Sequence, residues 1–332
     1  MSVPGGLRPR PLGTSGLSVT PIGLGLAALG RPAYINLGRD ADIGPARTFA
    51  DLRQRTHAVL DAAYDAGLRY VDVARSYGLA EDFLASWLED RHLPPGEVVV
   101  GSKWGYTYTA GWRLDAAENE VKDHSLATFR RQYGESRQIL GGHQRLYQIH
   151  SATLESGVLD DRELLSEMAL LRASGLAIGF TTSGPRQADV IRRALELKVD
   201  GVNAFDSVQA TWNLLEPSAG PALAEARAAG LGVIVKEALA NGRLTERSSV
   251  APEGLHQLAG SEHASLDAVA VAAALANPWA DVVLSGAVTV AQLQSNLAAL
   301  KTSVSADDLP ELLAFAEPAA RYWEERKQLP WS

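Results

Sequence analysis

The stretch RELLSEMALLRASGLAIGFTTSGPRQADVIRRALEL, Arg162 to Leu197, holds one whole structural repeat. Arg162 to Ala173 carries apolar residues at three- and four-residue spacing, the period of an amphipathic helix. Gly175 then supplies the left-handed conformation that closes a helix and turns the chain. Ala177-Ile-Gly-Phe180 is a short apolar run, as expected of a parallel strand buried on both faces, and Pro185 to Leu197 is helical again.

The same βα theme recurs in both directions. Further strands are expected at Thr20–Leu24, Tyr70–Val73, Val98–Ser102, Arg145–Ile149, Gly201–Phe205, Gly232–Val235 and Asp281–Leu284, which with Ala177–Phe180 makes eight. Helical patterns lie between them over Thr56–Ala66, Glu81–Asp90, Ser125–Tyr133, Ser218–Ala229 and Ser265–Asn277. Eight such units within one domain's length predict an α/β fold of the closed (β/α)8 TIM-barrel type rather than an open doubly wound sheet. A dinucleotide-binding G-x-G-x-x-G turn is missing, because Gly23-Leu-Gly25 is followed by Ala28 where the third glycine belongs. The whole chain, 1–332, reads as a single domain with a core over about 12–300 and a helical tail over 301–332.

Composition narrows the chemistry. The 332 residues are 46% apolar, enough for a large core, and the net charge of −8 is spread along the chain, which argues against nucleic acid and against a polybasic membrane patch. There is no cysteine, so disulfides, thiolate nucleophiles and cysteine-bound zinc are excluded. Met1 to Arg10 lacks the apolar run of a signal peptide, and the expectation is a soluble, cytoplasmic protein. The seven histidines form no His-x-His pair, so no metal site is expected.

In a barrel, polar residues at the C-terminal ends of strands face the active-site mouth. Asp72 ends the second strand with Tyr77 in the loop after it, Lys103 ends the third and His150 the fourth. Each alone has an ordinary explanation: a turn former, a packed ring, an exposed cation, a hydrogen-bonded core imidazole. On three successive strands they converge on one small volume. An ammonium beside a phenol favours the phenolate, so Lys103 is expected to make Tyr77 a usable acid and base, with Asp72 keeping Lys103 charged. A neutral His150 would orient the substrate oxygen. Two long loops, Arg31–Ala46 and Trp104–Asp123, follow the first and third strands. The second carries Trp104, Tyr106, Tyr108 and Trp112 and reads as a lid, with Trp104 and Tyr106 expected to line the substrate site.

The runs Tyr70-Val-Asp-Val-Ala-Arg-Ser-Tyr-Gly78, Gly101-Ser-Lys-Trp104 and Tyr147-Gln-Ile-His150 resemble the tetrad segments of the aldo-keto reductase superfamily. Leu12 to Gly25 resembles its N-terminal hairpin and first strand; Leu284-Ser-Gly-Ala287 and Gln292 to Asn296 resemble its adenosine-phosphate segment. The resemblance implies an oxidoreductase that moves hydride between a nicotinamide cofactor, NADP before NAD, and a small carbonyl or alcohol. It implies Tyr77 as general acid/base, supported by Asp72, Lys103 and His150. It further implies a cofactor held by Gly25, Thr181, Thr182, Gln209, Lys236, Leu239, Ser285, Gly286, Gln292 and Asn296.

Three departures accompany it. Thr181-Thr182 replaces the usual Ser-Asn, Lys236-Glu237 stands where many members have a stacking aromatic residue, and Ser285 to Thr289 and Gln292 offer no cation to a 2′-phosphate, leaving Arg186 and Lys301 as the nearest candidates. Two other chemistries fit the same strand ends: a Schiff-base lyase or aldolase using Lys103 or Lys236, and a non-catalytic nicotinamide-binding regulatory subunit.

Overall fold

The structure, a computed structural model, describes residues 7–199, 201–248 and 251–331. Residues 1–6, on which part of the N-terminal reading rests, and Ser332 lie outside the described residues.

Eight strands form a closed barrel. In chain order they are β1 Ile22–Gly25, β2 Tyr70–Asp72, β3 Val99–Trp104, β4 Gln144–Ala152, β5 Ala177–Thr182, β6 Ser207–Thr211, β7 Gly232–Lys236 and β8 Val282–Ser285. Every neighbouring pair is parallel, and β8 closes on β1 through Val283↔Ile22 and Ser285↔Leu24. The helices between them are α1 Phe49–Ala66, α2 Ala80–Asp90, α3 Leu126–Leu140, α4 Arg162–Ala173, α5 Gln187–Glu196, α6 Gly220–Ala228, α7 Leu266–Leu275 and α8 Val290–Leu297. Parallel strands need such crossovers, and the helices bury their apolar stripes on the barrel wall.

Local chemistry sets the boundaries. The Thr48 side chain accepts from the Asp51 backbone at 3.2 Å while the Asp51 carboxylate accepts from the Thr48 N–H at 3.0 Å, a reciprocal cap that starts α1. Asp161 caps α4 and Thr289 caps α8 in the simpler one-way manner.

Seven of the expected strands fall at or beside their expected positions; the sixth does not. Gly201–Phe205 is not a barrel strand: Val202–Asn203 pairs antiparallel with Lys198–Val199 in a small surface hairpin, and the barrel strand is Ser207–Thr211. Its Ser-Val-Gln-Ala-Thr sequence looks like a loop, yet all five residues are buried. The two long loops also have structure of their own. Arg39–Ile43 is a short helix within the first, and Tyr106–Tyr108 pairs antiparallel with Glu120–Lys122 in the second. Among the described residues no helix is long and apolar enough to cross a membrane.

The core has two parts. A large shell joins strands to helices, and a smaller cluster of Leu12, Leu17, Val19, Tyr70, Val99, Leu146, Ile234 and Val282 fills the N-terminal end of the barrel. Its first three residues come from the hairpin pairing Arg10–Pro11 with Ser18–Val19, which stops that end like a bung. The hairpin seats closely: Thr14 N–H donates to Gly230 O at 2.9 Å, and a Cβ on Gly13 would fall 2.2 Å from the Gly232 nitrogen.

Gly13→Ala therefore adds a backbone clash to the strain of φ +53°, whereas Gly16→Ala, at φ +75° in open space, adds strain alone. In urea unfolding the first change should cost about 2 to 4 kcal/mol and the second about 1 kcal/mol. Equal losses would mean that the hairpin is not pressed against β7.

Candidate active site

The C-terminal end of the barrel opens into a cavity of about 640 Å³, within the range of small-molecule sites. Its floor rests on a buried ion pair. The Lys103 ammonium on β3 meets the Asp72 carboxylate on β2, with the Lys103 side chain 1% exposed. Lys103 also donates to Val73 O at 2.7 Å, and Asp72 accepts from Gln209 Nε2 on β6 at 2.8 Å and from the Tyr70 hydroxyl at 3.3 Å.

Tyr77 lies above this pair in the loop between β2 and α2, its ring centroid 4.7 Å from Lys103 Nζ. Tight backbone packing fixes that loop. Leu79 N–H donates to Gly30 O at 2.8 Å, and a Cβ on Gly30 would sit 2.2 Å from Tyr77 O, so only glycine allows the approach.

His150 is aimed by a β-bulge. The β4–β5 register shifts between Ile149 and Ala152, Ser151 takes φ 53°, and the Ser151 N–H donates to Thr181 Oγ1 at 2.7 Å. The imidazole Nε2 lies 3.5 Å from the Tyr77 hydroxyl and Nδ1 3.5 Å from Ser76 Oγ. Burial holds His150 well below its ordinary value, and Lys103, Lys236 and Arg31 push the same way, so the ring is neutral. Burial likewise holds the Tyr77 phenol well above its ordinary value, with Asp72 adding to it and Arg31 opposing. Lys103 bonds to Asp72 and Val73 O with its Nζ beside the Tyr77 ring, and burial dominates the phenol.

Of the other residues expected in the site, Gly25, Tyr106, Gln209, Lys236, Leu239, Ser285, Gly286, Gln292 and Asn296 line the cavity. Trp104, Thr181 and Thr182 do not. The Trp104 ring is fully buried, 5.0 Å from the Phe129 ring and 5.7 Å from His124, and packs the rim from behind. Thr181 is occupied with the bulge, and Thr182 Oγ1 lies 3.4 Å from Gln187 Oε1; the wall position belongs to Ser183. Tyr108 and Trp112 face a separate groove with Phe49 and Arg131.

The structure also gives partners to residues that the sequence did not place in the site. Arg31 stands 5.2 Å from the ring centroid of Tyr34, 5.3 Å from Tyr77 and 4.8 Å from Trp331, and donates to Glu120 at 2.8 Å. Glu237, at φ 58°, accepts from Arg326 Nε at 3.0 Å and from Thr211 Oγ1 at 3.0 Å. Burial favours its neutral form, but Arg326 and Lys236 hold it down to about 2. Burial pushes Lys236 down to about 8 against the pull of Glu237. Lys236 was expected in the site; of Arg31 and Glu237, only Glu237 carried a signal in the sequence, directly after the seventh strand.

Two glycines of the cavity lining leave open space beside them. A Cβ on Gly286 would meet nothing within 4 Å, and one on Gly25 only Ser285 O at 3.7 Å, so space lies over both glycines. The N-terminus of α8, whose free amides favour anions, begins just beyond. Ser285 Oγ donates to Asn296 Oδ1 at 2.6 Å and the Val288 N–H to Gln292 Oε1 at 2.9 Å, which ties the end of β8 to that helix.

Relatives agree with this architecture. The chain is 30% identical over 223 residues to pyridoxal 4-dehydrogenase of Microbacterium luteolum, a match covering 56% of this chain and 58% of that protein. It is 24% identical over 170 residues to the uncharacterized oxidoreductase YqkF of Bacillus subtilis strain 168, covering 49% and 45%. The chain thus spans about half the length of the curated relatives it matches. The holo form of an aldo-keto reductase from Bacillus halodurans superposes with a TM-score of 0.70 at 22% identity, over 94% of this chain and 97% of that one. The family model for the aldo/keto reductase family matches residues 21–317, from the first barrel strand to the tail, and the chain belongs to that family.

Proposed function

We propose that the protein is a nicotinamide-dependent oxidoreductase that interconverts a small carbonyl compound and its alcohol, with Tyr77 as general acid/base. The observation that carries this reading is the 3.5 Å approach of the Tyr77 hydroxyl to His150 Nε2 on the cavity floor, above the Lys103–Asp72 pair. When bound, the dihydronicotinamide supplies the hydride. Tyr77, kept protonated by burial, gives its proton to the carbonyl oxygen. His150, kept neutral, orients that oxygen without competing for the proton. Ser285, Gly286 and the start of α8 would receive the pyrophosphate, and Gln209, Lys236 and Leu239 line the same cavity. The name of the Microbacterium relative makes pyridoxal a first compound to assay, and Tyr34, Tyr106 and Trp331 offer a planar substrate ring faces to meet.

The lyase reading is weaker on Lys103, whose ammonium is buried against Asp72 and Val73 O, and rests on Lys236. Borohydride trapping with substrate would label Lys236 on that reading and leave the chain unlabelled on ours.

Tyr77→Phe removes one hydroxyl and leaves the ring. Carbonyl reduction should fall by about 10² to 10⁴ in kcat with the melting curve and dinucleotide fluorescence quenching little changed. Retention of more than about a tenth of kcat would assign the proton to another group, His150 first.

The pH profile follows from the two shifts. A phenol with a raised value stays protonated through neutral pH, and an imidazole with a lowered one stays neutral, so kcat/KM for reduction should be level from about pH 6 to about pH 9. Alcohol oxidation needs the phenolate and should still be rising at about pH 10. An acid limb near about pH 6.5 that disappears in His150→Asn would contradict the assignment of a neutral imidazole.

A further inference from the structure

We infer that the far corner of the cavity selects an unphosphorylated ribose, so that the chain binds NADH in preference to NADPH. This rests on the nicotinamide reading above and reverses the order that the family resemblance implies. With nicotinamide at Tyr77 and pyrophosphate at Ser285–Gly286, the adenosine must occupy the remaining corner, lined by Glu246, Arg247, Asp267, Gln292, Ser295 and Asn296. A carboxylate suits ribose hydroxyls, and a free guanidinium suits a 2′-phosphate.

The guanidinium here is already committed. Arg247 makes a bidentate pair with Asp42, Nη1 to Oδ2 at 2.5 Å and Nη2 to Oδ1, and also donates to Gly38 O at 2.8 Å. Gln292 Nε2 donates to the same Asp42 carboxylate at 2.7 Å, so the lining cation and the lining amide are both turned to one acid. Asp42 is well covered, its side chain 10% exposed. Two carboxylates line the corner itself. Asp267 is fixed by Asn296 Nδ2 at 2.6 Å and Ser295 Oγ at 3.0 Å, and Glu246 stands beside Arg247 in sequence and on the wall.

A 2′-phosphate would bring a charge of about −1.5 to −2 into a corner lined by the Asp267 and Glu246 carboxylates, whose one guanidinium is already paired with Asp42. Drawing Arg247 to the phosphate would leave the Asp42 carboxylate with only the Gln292 amide. Ribose hydroxyls require no such exchange, because they can donate to the lining carboxylates Asp267 and Glu246 as these stand. Arg186, the other cation expected to reach a 2′-phosphate, is paired with Asp189 and Glu155 on the outer surface, and neither it nor Lys301 lines the cavity.

The test reads binding rather than turnover. Titrating the full chain with NADH and NADPH by nucleotide fluorescence, and with AMP and adenosine 2′,5′-bisphosphate by calorimetry, should show at least about tenfold tighter binding of the unphosphorylated member of each pair. Asp42→Asn removes the competing charge while keeping an amide for Arg247 and Gln292. It should tighten NADPH by about tenfold and change NADH by less than about threefold. Equal or tighter NADPH binding by wild type would overturn the inference while leaving the nicotinamide reading intact; binding of neither dinucleotide would remove both. If Asp42→Asn melts early, the two adenylates on the wild-type protein decide the question alone.

Discussion

An ammonium and a carboxylate, both taken out of water, face each other at the bottom of the cavity, and much of the site is arranged around them. Moving such ions from solvent costs several kcal/mol each, and their mutual attraction offsets this only where the remaining donors and acceptors are also satisfied. Lys103 finds Val73 O, and Asp72 finds Gln209 and Tyr70. The pair therefore draws on β2, β3 and β6 at once, on both sides of the barrel. Losing either partner would leave a buried charge beneath Tyr77, so the geometry of the phenol depends on a contact it does not make itself.

Burial governs the two groups above the pair in opposite senses and with one result. Desolvation penalises the phenolate of Tyr77 and the imidazolium of His150 alike, which leaves both neutral and 3.5 Å apart. The long loops supply the rest of the enclosure. Arg31 stands among three aromatic rings, Tyr106 comes within 4.9 Å of the His150 ring centroid, and the Glu237–Arg326 pair joins the end of β7 to the helix Ala319–Lys327.

The barrel was legible because its apolar runs and helical periods repeat, and the four candidate polar residues stood out because Asp72, Lys103 and His150 sit at the ends of such runs and Tyr77 in the loop after one. What escaped was whatever breaks that grammar. β6 reads Ser-Val-Gln-Ala-Thr, polar on the page, because a barrel interior near a polar floor can take Gln209 as a partner for Asp72. Trp104 follows Lys103 on the same strand, but successive side chains on a strand face opposite ways, so a cavity floor at Lys103 puts Trp104 behind the wall. Thr181 was expected to meet a ligand and instead pins the bulge that aims His150, a backbone irregularity that no residue type announces. Arg247 and Asp42 stand 205 positions apart in loops without periodicity, and only the fold brings them together.

The Glu237–Arg326 contact spans 89 positions of chain, and that separation has a consequence for the order of assembly. All eight strands are complete by Ser285, well before Arg326 is added in synthesis from the N-terminus. The ring of strands can thus be complete in sequence while the carboxylate beside β7 has Lys236 but not yet Arg326. The helix Ala319–Lys327 brings the second cation and completes the wall, so the barrel's strands and its cavity are finished by different parts of the chain.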